Sequence, residues 1–228
     1  MPNPPLSGIK ACVFDAYGTL FDFAAAARAC PDLPEPAAER LTALWRDKQV
    51  QYTWLRAAQG RHADFAQVTA DALDFALETL GLEQPGLRGR LLNLYLTLAA
   101  FPDVPEVLAK VRAAGLRTAI LSNGTPAMLA AAVAAAGLAR RFDAVLSVEE
   151  VGAFKPDRRV YQLAVDRLGI PAAVIAFVSS NGWDAHAASA FGMQVVWCNR
   201  TGQPRERLPG APDRQIATLA DLPALVGA

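Results

Sequence analysis

Four short apolar runs in the sequence lead into side chains that can do chemistry. The runs cover residues 9–14, 117–121, 143–148 and 174–179. The polar side chains at or after their ends are Asp15, then Ser122 and Asn123, then Lys155, and last Ser179, Asn181 and Asp184. Carboxylates, an ammonium group, hydroxyls and amides can together attack a substrate, hold negative charge and move a proton. Singly, such residues most often cap helices or turns, but their recurrence at successive strand ends makes capping alone the weaker explanation.

The apolar runs are predicted strands of one parallel sheet. A fifth run of this type covers 193–198, and helical patterns precede or separate the runs at 103–115, 125–137, 155–169 and 184–192. Strands that alternate with helices predict a parallel sheet with helices on both faces. Because ligands of such sheets bind outside the carboxyl ends of the strands, the polar side chains are expected to meet in one site.

Residues 22–99 break this alternation. They contain no convincing strand pattern, and helices are predicted at about 36–59, 64–81 and 87–99. We therefore predict an α/β core domain of residues 1–21 and 100–228, with a helical domain of residues 22–99 inserted after the first strand. A chain of 228 residues is long enough to bury a core and carry such an insertion.

The composition argues against several classes of function. The formal net charge is +0 and no basic run stands out, so a nucleic-acid partner is not expected. No apolar stretch reaches the roughly 18 residues of a membrane helix, and the first residues lack a signal-peptide pattern. Cys12, Cys30 and Cys198 are too few for a disulfide framework, and His62 and His186 fit no metal spacing. A cytoplasmic protein without a membrane partner is therefore expected.

Four motifs resemble those of a known superfamily. The stretches "FDAYGTL", "LSNGT", "FKPDRRVY" and "FVSSNGWD" are similar, in order and in separation, to the four motifs of the haloacid dehalogenase superfamily. The resemblance implies an α/β, Rossmann-like parallel sheet flanked by helices, with the helical insertion as a cap domain. It also implies that Asp15 is a nucleophile.

Two positions favour one branch of that superfamily. In its phosphatase branch, an aspartate two residues after the nucleophile protonates a leaving alkoxide, and another in the last motif helps to bind magnesium. Here those places hold Tyr17 and Ser180. Halide is a weak base that leaves without a proton, so a dehalogenase does not need the acid.

The segment 44–56, "LWRDKQVQYTWLR", resembles the cap helix of the L-2-haloacid dehalogenases. This resemblance implies conversion of short L-2-haloalkanoic acids to 2-hydroxyalkanoic acids through an aspartyl ester, with inversion at C2. No metal and no cofactor are implied. The implied partners are the small 2-haloacid, the released halide ion and a second copy of the chain, in a homodimer formed through the helical insertion.

The resemblance assigns the covalent chemistry to residues at the strand ends. Asp15 is expected to attack C2, Lys155 to keep Asp15 ionised, and Thr19 to hydrogen-bond its carboxylate. The water that hydrolyses the ester is expected to be positioned by the last motif, through Ser179, Asn181 and Asp184.

Other side chains are expected to bind the substrate. Arg46 is expected to meet the departing halide, and Tyr161 to orient Lys155 or the substrate carboxylate. The carboxylate itself is expected at Ser122 and at the amides around Asn123. An apolar wall that strips water from the halogen is expected from Tyr17, Phe65 and Trp183.

Asp47 departs from the family pattern, in which a glutamine commonly follows the arginine. An acid at the mouth of the pocket would repel a carboxylate substrate or pair with Arg46, whereas on another face of the helix it would reach solvent. Two other functions stay open: a different superfamily hydrolase, such as a phosphatase or phosphonatase, and an inactive member that serves as an interaction protein. The sequence does not give the preferred chain length or halogen, fluoride included.

Overall fold

A parallel sheet of six strands forms the centre of the molecule in the computed structural model, which describes residues 5–228. The strands are β1 (Ala11–Phe14), β2 (Arg117–Ser122), β3 (Ala144–Ser147), β4 (Ile175–Ser179), β5 (Gln194–Cys198) and β6 (Arg214–Ile216). Their order is β3-β2-β1-β4-β5-β6, and each neighbouring pair is parallel. The predicted fold class is confirmed. The first four residues of the predicted core segment 1–21 lie outside the described residues.

Strand β1 lies at the point where the strand order reverses. It pairs with β2 on one side and with β4 on the other, so that Phe14 is in register with Ile120 and Val178. All four residues of β1 are buried, as expected for a strand that is covered on both faces and therefore apolar throughout. In a sheet of this order the crevice beside β1, at the carboxyl ends of the strands, is the usual ligand site.

Four α-helices follow β1 within residues 22–99. They are α1 (Ala25–Arg28), α2 (Glu35–Ala58), α3 (Phe65–Leu80) and α4 (Leu87–Leu96). Helix α3 begins where the side chain of Asp64 accepts a hydrogen bond from Gln67 N, and it ends at Gly81 in a left-handed conformation. Helices α2 and α3 pack against each other along their buried faces. We call these four helices the helical segment.

The chain enters and leaves the helical segment at adjacent points. Phe21 and Ala100 form an antiparallel bridge, and Asp22 N donates to the carbonyl of Ala99 at 3.0 Å. The two crossings therefore lie side by side, next to the carboxyl end of β1.

The remaining helices flank the sheet. They are α5 (Val104–Ala113), α6 (Pro126–Ala135), α7 (Arg158–Leu168), α8 (Gly182–Phe191) and α9 (Leu222–Val226). Helix α7 begins three residues later than predicted because Asp157 caps it by accepting from Arg159 N at 2.9 Å. Lys155 is thereby left in the preceding loop. Helix α8 begins two residues earlier than predicted, which places Asp184 in its first turn.

Strand β6 and helices α1 and α9 were not predicted. Strand β6 has three residues with one buried side chain, and α1 and α9 have four and five residues. Elements this short give too few turns or alternations for a periodic signal.

The three cysteines Cys12, Cys30 and Cys198 are free and buried. Burial raises the pKa of Cys12 to about 12 and, with Arg200 opposing it, that of Cys198 to about 11, so neither is a ready nucleophile. Among residues 5–228, no helix is long and apolar enough to cross a membrane.

Candidate active site

Three charged side chains form the centre of the site. Asp15 follows β1, Lys155 lies in the loop before α7, and Asp184 belongs to the first turn of α8. The ammonium Nζ of Lys155 donates to Asp15 Oδ1 at 2.9 Å and to Asp184 Oδ2 at 2.7 Å. The three residues are 6%, 1% and 0% exposed, respectively. Because the ammonium group lies between two buried carboxylates, it compensates charge that burial would otherwise make costly.

The electrostatics of this cluster favour a charged lysine. Burial lowers the pKa of Lys155, but the charges of Asp15 and Asp184 outweigh burial and raise it above its ordinary value. Burial raises the pKa of Asp184, with Lys155 opposing this and Asp15 adding to it. Lys155 therefore stays cationic, and Asp184 is a stronger base than an exposed carboxylate.

The second oxygen of Asp15 is also held. Asp15 Oδ2 accepts from Thr19 Oγ1 at 3.1 Å and from Asn181 Nδ2 at 2.9 Å. A tight turn at Gly18, with φ +86°, brings Thr19 back towards Asp15. A Cβ at Gly18 would lie 3.0 Å from Ser180 Oγ, so the close approach of the two loops also favours glycine. The carboxylate thus has a fixed orientation at the end of its strand.

Tyr161 supports the cluster from α7. Its hydroxyl donates to Asp184 Oδ1 at 2.7 Å. Burial and the charge of Asp184 raise the pKa of Tyr161, so the phenol stays protonated and remains a donor. The sequence led us to expect a contact with Lys155 or with the substrate carboxylate, whereas the structure makes Asp184 its partner.

The polar residues of the β2 and β4 ends hold the surrounding loops. Ser122 Oγ accepts from Gly124 N at 3.1 Å, and Asn123 Oδ1 accepts from Lys155 N at 3.0 Å. At the end of β4, Ser179 Oγ accepts from Asn181 N at 3.1 Å. Asn123 therefore fixes the loop that carries Lys155, and Ser179 fixes the loop that carries Asn181.

Aromatic rings from both parts of the molecule cover this cluster. Tyr17 stacks on Phe65 of α3, with ring centroids 5.9 Å apart, and its ring lies 5.2 Å from that of Tyr95 of α4. Burial, then the charges of Tyr95 and Asp15, raise the pKa of Tyr17. The Tyr17 hydroxyl is buried and has no hydrogen-bond partner among the described residues. The result is a buried aromatic wall beside Asp15.

Trp183 lies apart from this wall. Its ring packs edge to face against Trp54 of α2, with centroids 5.4 Å apart. Both tryptophans border a groove of about 940 Å³ between the helical segment and the core. The structure therefore groups Tyr17 with Phe65 and Tyr95, and it places Trp183 at the rim of the groove.

Arg46 reaches the core from α2. Its Nη2 donates to Asn181 Oδ1 at 3.1 Å, and its Nη1 donates to Gln49 Oε1 at 2.7 Å. The guanidinium also lies over the ring of Phe23, 5.2 Å from the centroid. Since Asn181 also donates to Asp15, the arginine is one residue away from the carboxylate. The cation implied by the resemblance thus lies one side chain away from the predicted nucleophile.

Glu149 makes a further contact between the core and the helical segment, which the sequence did not indicate. Glu149, after β3, accepts from Phe65 N at 3.1 Å through Oε1, and its Oε2 lies 2.8 Å from His62 Nε2. A glutamate after a strand is too common to predict such a contact. Gln49 and Tyr95 were missed for the same reason, because neither residue type marks a site.

The donors around Asp15 are a poor match for a divalent cation, which prefers several carboxylate oxygens. Asp15 and Asp184 each use one oxygen on the Lys155 ammonium group, and the nearby positions hold Tyr17 and Ser180. Within residues 5–228, no three histidine, cysteine, aspartate or glutamate side chains group as a metal site would require.

The fold and the cluster define a class of protein: an α/β enzyme with a buried carboxylate, Asp15, at the switch point of its sheet, covered by inserted helices. The family model of the haloacid dehalogenase-like hydrolases matches residues 9–192. The chain belongs to this family of hydrolases.

Curated and solved relatives are similar over nearly the whole chain. The (S)-2-haloacid dehalogenase 1 of Pseudomonas sp. (strain CBS-3) is 46% identical over 219 residues, which are 96% of each chain. A crystal structure of a dehalogenase matches with a TM-score of 0.94 and 43% identity, covering 98% of this chain and 99% of the other. The L-2-haloacid dehalogenase from Xanthobacter autotrophicus, with chloropropionic acid covalently bound, matches with a TM-score of 0.88 and 41% identity, covering 95% and 98%.

Proposed function

We propose that this chain hydrolyses short L-2-haloalkanoic acids to 2-hydroxyalkanoic acids through an aspartyl ester, with inversion at C2. One observation carries the proposal: the carboxylate of Asp15, paired with Lys155, is linked through Asn181 to the guanidinium of Arg46. The proposed nucleophile and the cation proposed for the leaving anion therefore lie on either side of the Asn181 amide. The names of the relatives and the covalent complex of one of them support the same reaction.

In the first step a carboxylate oxygen of Asp15 attacks C2 in line with the carbon–halogen bond. The C2–O bond forms, the carbon–halogen bond breaks, and the halide leaves with the bonding electrons. Attack from the opposite side inverts C2. Lys155, Thr19 and Asn181 hold the carboxylate in one orientation, so little reorganisation is needed during attack.

Arg46 stabilises the departing halide. Its positive charge acts on the negative charge that develops as the bond breaks, and the aromatic wall of Tyr17, Phe65 and Tyr95 limits screening by water. Halide leaves as the free anion, so a general acid is not needed and Tyr17 can occupy the position of one.

In the second step water attacks Cγ of Asp15. Asp184, whose pKa is raised by burial, takes the proton from the water. Lys155 stabilises the negative charge on the Asp15 oxygens as the tetrahedral intermediate forms and collapses. The acyl C–O bond then breaks as Asp184 gives this proton to the C2 oxygen, and the 2-hydroxy acid leaves with that oxygen from Asp15. The Asp15 carboxyl, which has gained one oxygen from water, loses the second water proton to solvent and is again a carboxylate.

The substrate carboxylate is proposed to bind at Ser122 and the backbone of Asn123, before the N-terminus of α6, where the helix dipole suits an anion. Tyr161 contributes indirectly, because it holds Asp184. Trp183, at the rim of the groove, is proposed to contact substrates as they enter.

Residues 22–99 are proposed to act as a cap domain on the core of residues 1–21 and 100–228. The adjacent crossings at Phe21 and Ala100 support this division, since two neighbouring connections can act as a hinge. A cytoplasmic location and a homodimer formed through the cap also remain proposals, and light scattering in solution tests the latter.

Comparing two substrates tests the function. We expect chloride release from L-2-chloropropionate without added metal, and little phosphate release from p-nitrophenyl phosphate with Mg²⁺. Phosphate release alone would contradict the proposal and favour a phosphatase. Neither activity, in a protein that folds normally, would favour an inactive interaction protein.

A single turnover in H₂¹⁸O tests whether water attacks Cγ of Asp15 or C2 of the substrate. We expect label in Asp15 after one turnover, with unlabelled product. Label in the first product and none in Asp15 would mean that water attacks C2 directly, and the assignment of Asp15 as nucleophile would then be wrong.

A further inference from the structure

A buried polar network lies inside the helical segment, directly behind Arg46. Its centre is Gln49 of α2, which is 1% exposed. Gln49 Nε2 donates to Thr69 Oγ1 at 2.8 Å and to the hydroxyl of Tyr95 at 3.2 Å, while its Oε1 accepts from Arg46 Nη1 at 2.7 Å. Three helices, α2, α3 and α4, therefore meet at one amide.

The direction of the Gln49 amide follows from its partners. Thr69 Oγ1 donates its single proton to the carbonyl of Phe65 at 2.6 Å, so towards Gln49 it can only accept. The nitrogen of Gln49 must then face Thr69, which leaves the oxygen to face Arg46. The backbone of Thr69 is itself held, because its carbonyl accepts from Trp45 Nε1 at 2.9 Å.

We propose that Gln49 is a positioning residue that holds the guanidinium of Arg46 at the place where the halide departs. This inference rests on the proposed function. An arginine side chain has many rotamers, and Arg46 has two hydrogen-bonded ends, one on Gln49 and one on Asn181. The first end is fixed inside the helical segment and the second lies beside Asp15. Gln49 thus aligns the cation of one part of the molecule with the nucleophile of the other.

The buried stripe of α2 makes a purely structural role the weaker explanation. Leu41, Trp45, Gln49 and Thr53 follow one another at four-residue spacing and are all buried. An apolar side chain of similar size at position 49 would extend the apolar part of this stripe, Leu41 and Trp45, by one more turn. Instead the position carries an amide whose oxygen accepts from Arg46.

The test compares leaving groups. Gln49→Met keeps the length of the side chain and removes both of its hydrogen-bonding functions. Single-turnover halide release is measured with L-2-chloropropionate and L-2-bromopropionate. We expect release of chloride to fall about tenfold or more, as for a misplaced catalytic group. Release of bromide, the better leaving group, should fall less, so the chloride-to-bromide rate ratio should fall as well.

Thr53→Val is the matched control. Thr53 is buried one turn further along α2, and its hydroxyl donates to the carbonyl of Val50 at 2.6 Å, away from Arg46. It should leave the rate ratio at the wild-type value. A wild-type ratio in Gln49→Met would overturn the inference. Wild-type protein that releases no halide from either substrate would instead contradict the proposed function.

A second pair of variants covers the case in which Gln49→Met does not fold. Thr69→Val removes the hydroxyl that orients Gln49, while Thr69→Ser retains it. We expect a lower chloride-to-bromide ratio in Thr69→Val and the wild-type ratio in Thr69→Ser. Equal ratios in the two variants would overturn the inference.

Discussion

The core and the helical segment contribute to the site in different ways. In the core, Asp15, Lys155 and Asp184 are buried and joined by ion pairs of 2.9 and 2.7 Å. From the helical segment, Arg46 is half-buried and reaches the core through one hydrogen bond to Asn181. The proposed nucleophile is therefore fixed by the topology of the sheet, whereas the cation proposed for the leaving group depends on a side chain extended from another layer.

This difference matches the two tasks of the proposed reaction. A nucleophile and its base need a constant geometry, which adjacent strand ends and a buried ion pair provide. Binding a substrate and releasing a halide need an opening, which a layer joined by two adjacent crossings can provide. Variants in the core should accordingly act on bond making at Asp15. Variants at the boundary, where the helical segment meets the core, should act on substrate binding or, around Arg46, on departure of the halide.

The largest effect is expected from Asp15→Asn. An amide cannot serve as the nucleophile, so chloride release should fall by at least about 10⁴-fold. Asp166→Asn, at an exposed position of α7, is the matched control and should retain activity. Chloride release by Asp15→Asn near the wild-type rate would show that Asp15 is not the nucleophile.

Asp184→Asn should separate the two steps. If Asp184 takes the proton from water, its loss should slow ester hydrolysis by about 10²- to 10⁴-fold. The variant should then release about one halide per chain in a burst, and mass spectrometry should detect the ester on Asp15. A variant that turns over slowly with neither a burst nor an adduct would place Asp184 before the ester forms.

The raised pKa of Asp184 also predicts a pH dependence. A protonated Asp184 cannot accept a proton, so wild-type ester hydrolysis should fall as pH decreases through this pKa. Because burial raises that pKa, the loss should occur above the ordinary carboxyl value of about 3.9. Rapid-quench measurements across pH check this, and Asp184→Asn should lack that decline.

The sequence predicted the core better than the boundary. Asp15, Lys155 and Asp184 follow apolar runs, and a parallel sheet brings the ends of such runs together, so their meeting could be inferred. The roles of Gln49 and Glu149 could not. Their contacts depend on how α2, α3 and the loop after β3 pack, and such packing leaves no periodic signal.

Trp183 illustrates the same limit. Its place in the last motif suggested the apolar wall, yet it packs on Trp54, while Tyr95 completes the wall. Neighbouring residues on a helix point in different directions, so Asp184 can be buried in the site while Trp183 faces the groove. Because α8 begins at Gly182, two residues before the predicted start, both Trp183 and Asp184 are helical and their side chains point in different directions.

Glu149→Ala tests the boundary without touching the ion pairs of the core. The variant loses the acceptor of Phe65 N and the partner of His62. Exposed pairs of this kind are worth about 0–1 kcal/mol, so we expect KM to rise up to about fivefold with little change in chloride release at saturation. The neighbouring Glu150 pairs with Arg167 of α7, within the core, and not with the helical segment. Glu150→Ala is therefore the control. A large fall in the saturated rate would show that this contact supports the chemical step and not binding alone.

Asp47 should give the smallest effect and the most specific one. The side chain is exposed and lines the groove beside Arg46, where its charge opposes that of an incoming carboxylate. Replacement by glutamine should raise kcat/KM about two- to threefold at low salt, because steering by exposed charges changes association more than chemistry. The gain should disappear near 1 M salt, where the Debye length is about 3 Å. Glu78→Gln, an exposed acid on α3, should change neither value. A gain that persists at high salt would mean that Asp47 acts on Arg46 at short range. Asp47 would then change how the Arg46 cation stabilises the proposed leaving group, and not only how the substrate approaches.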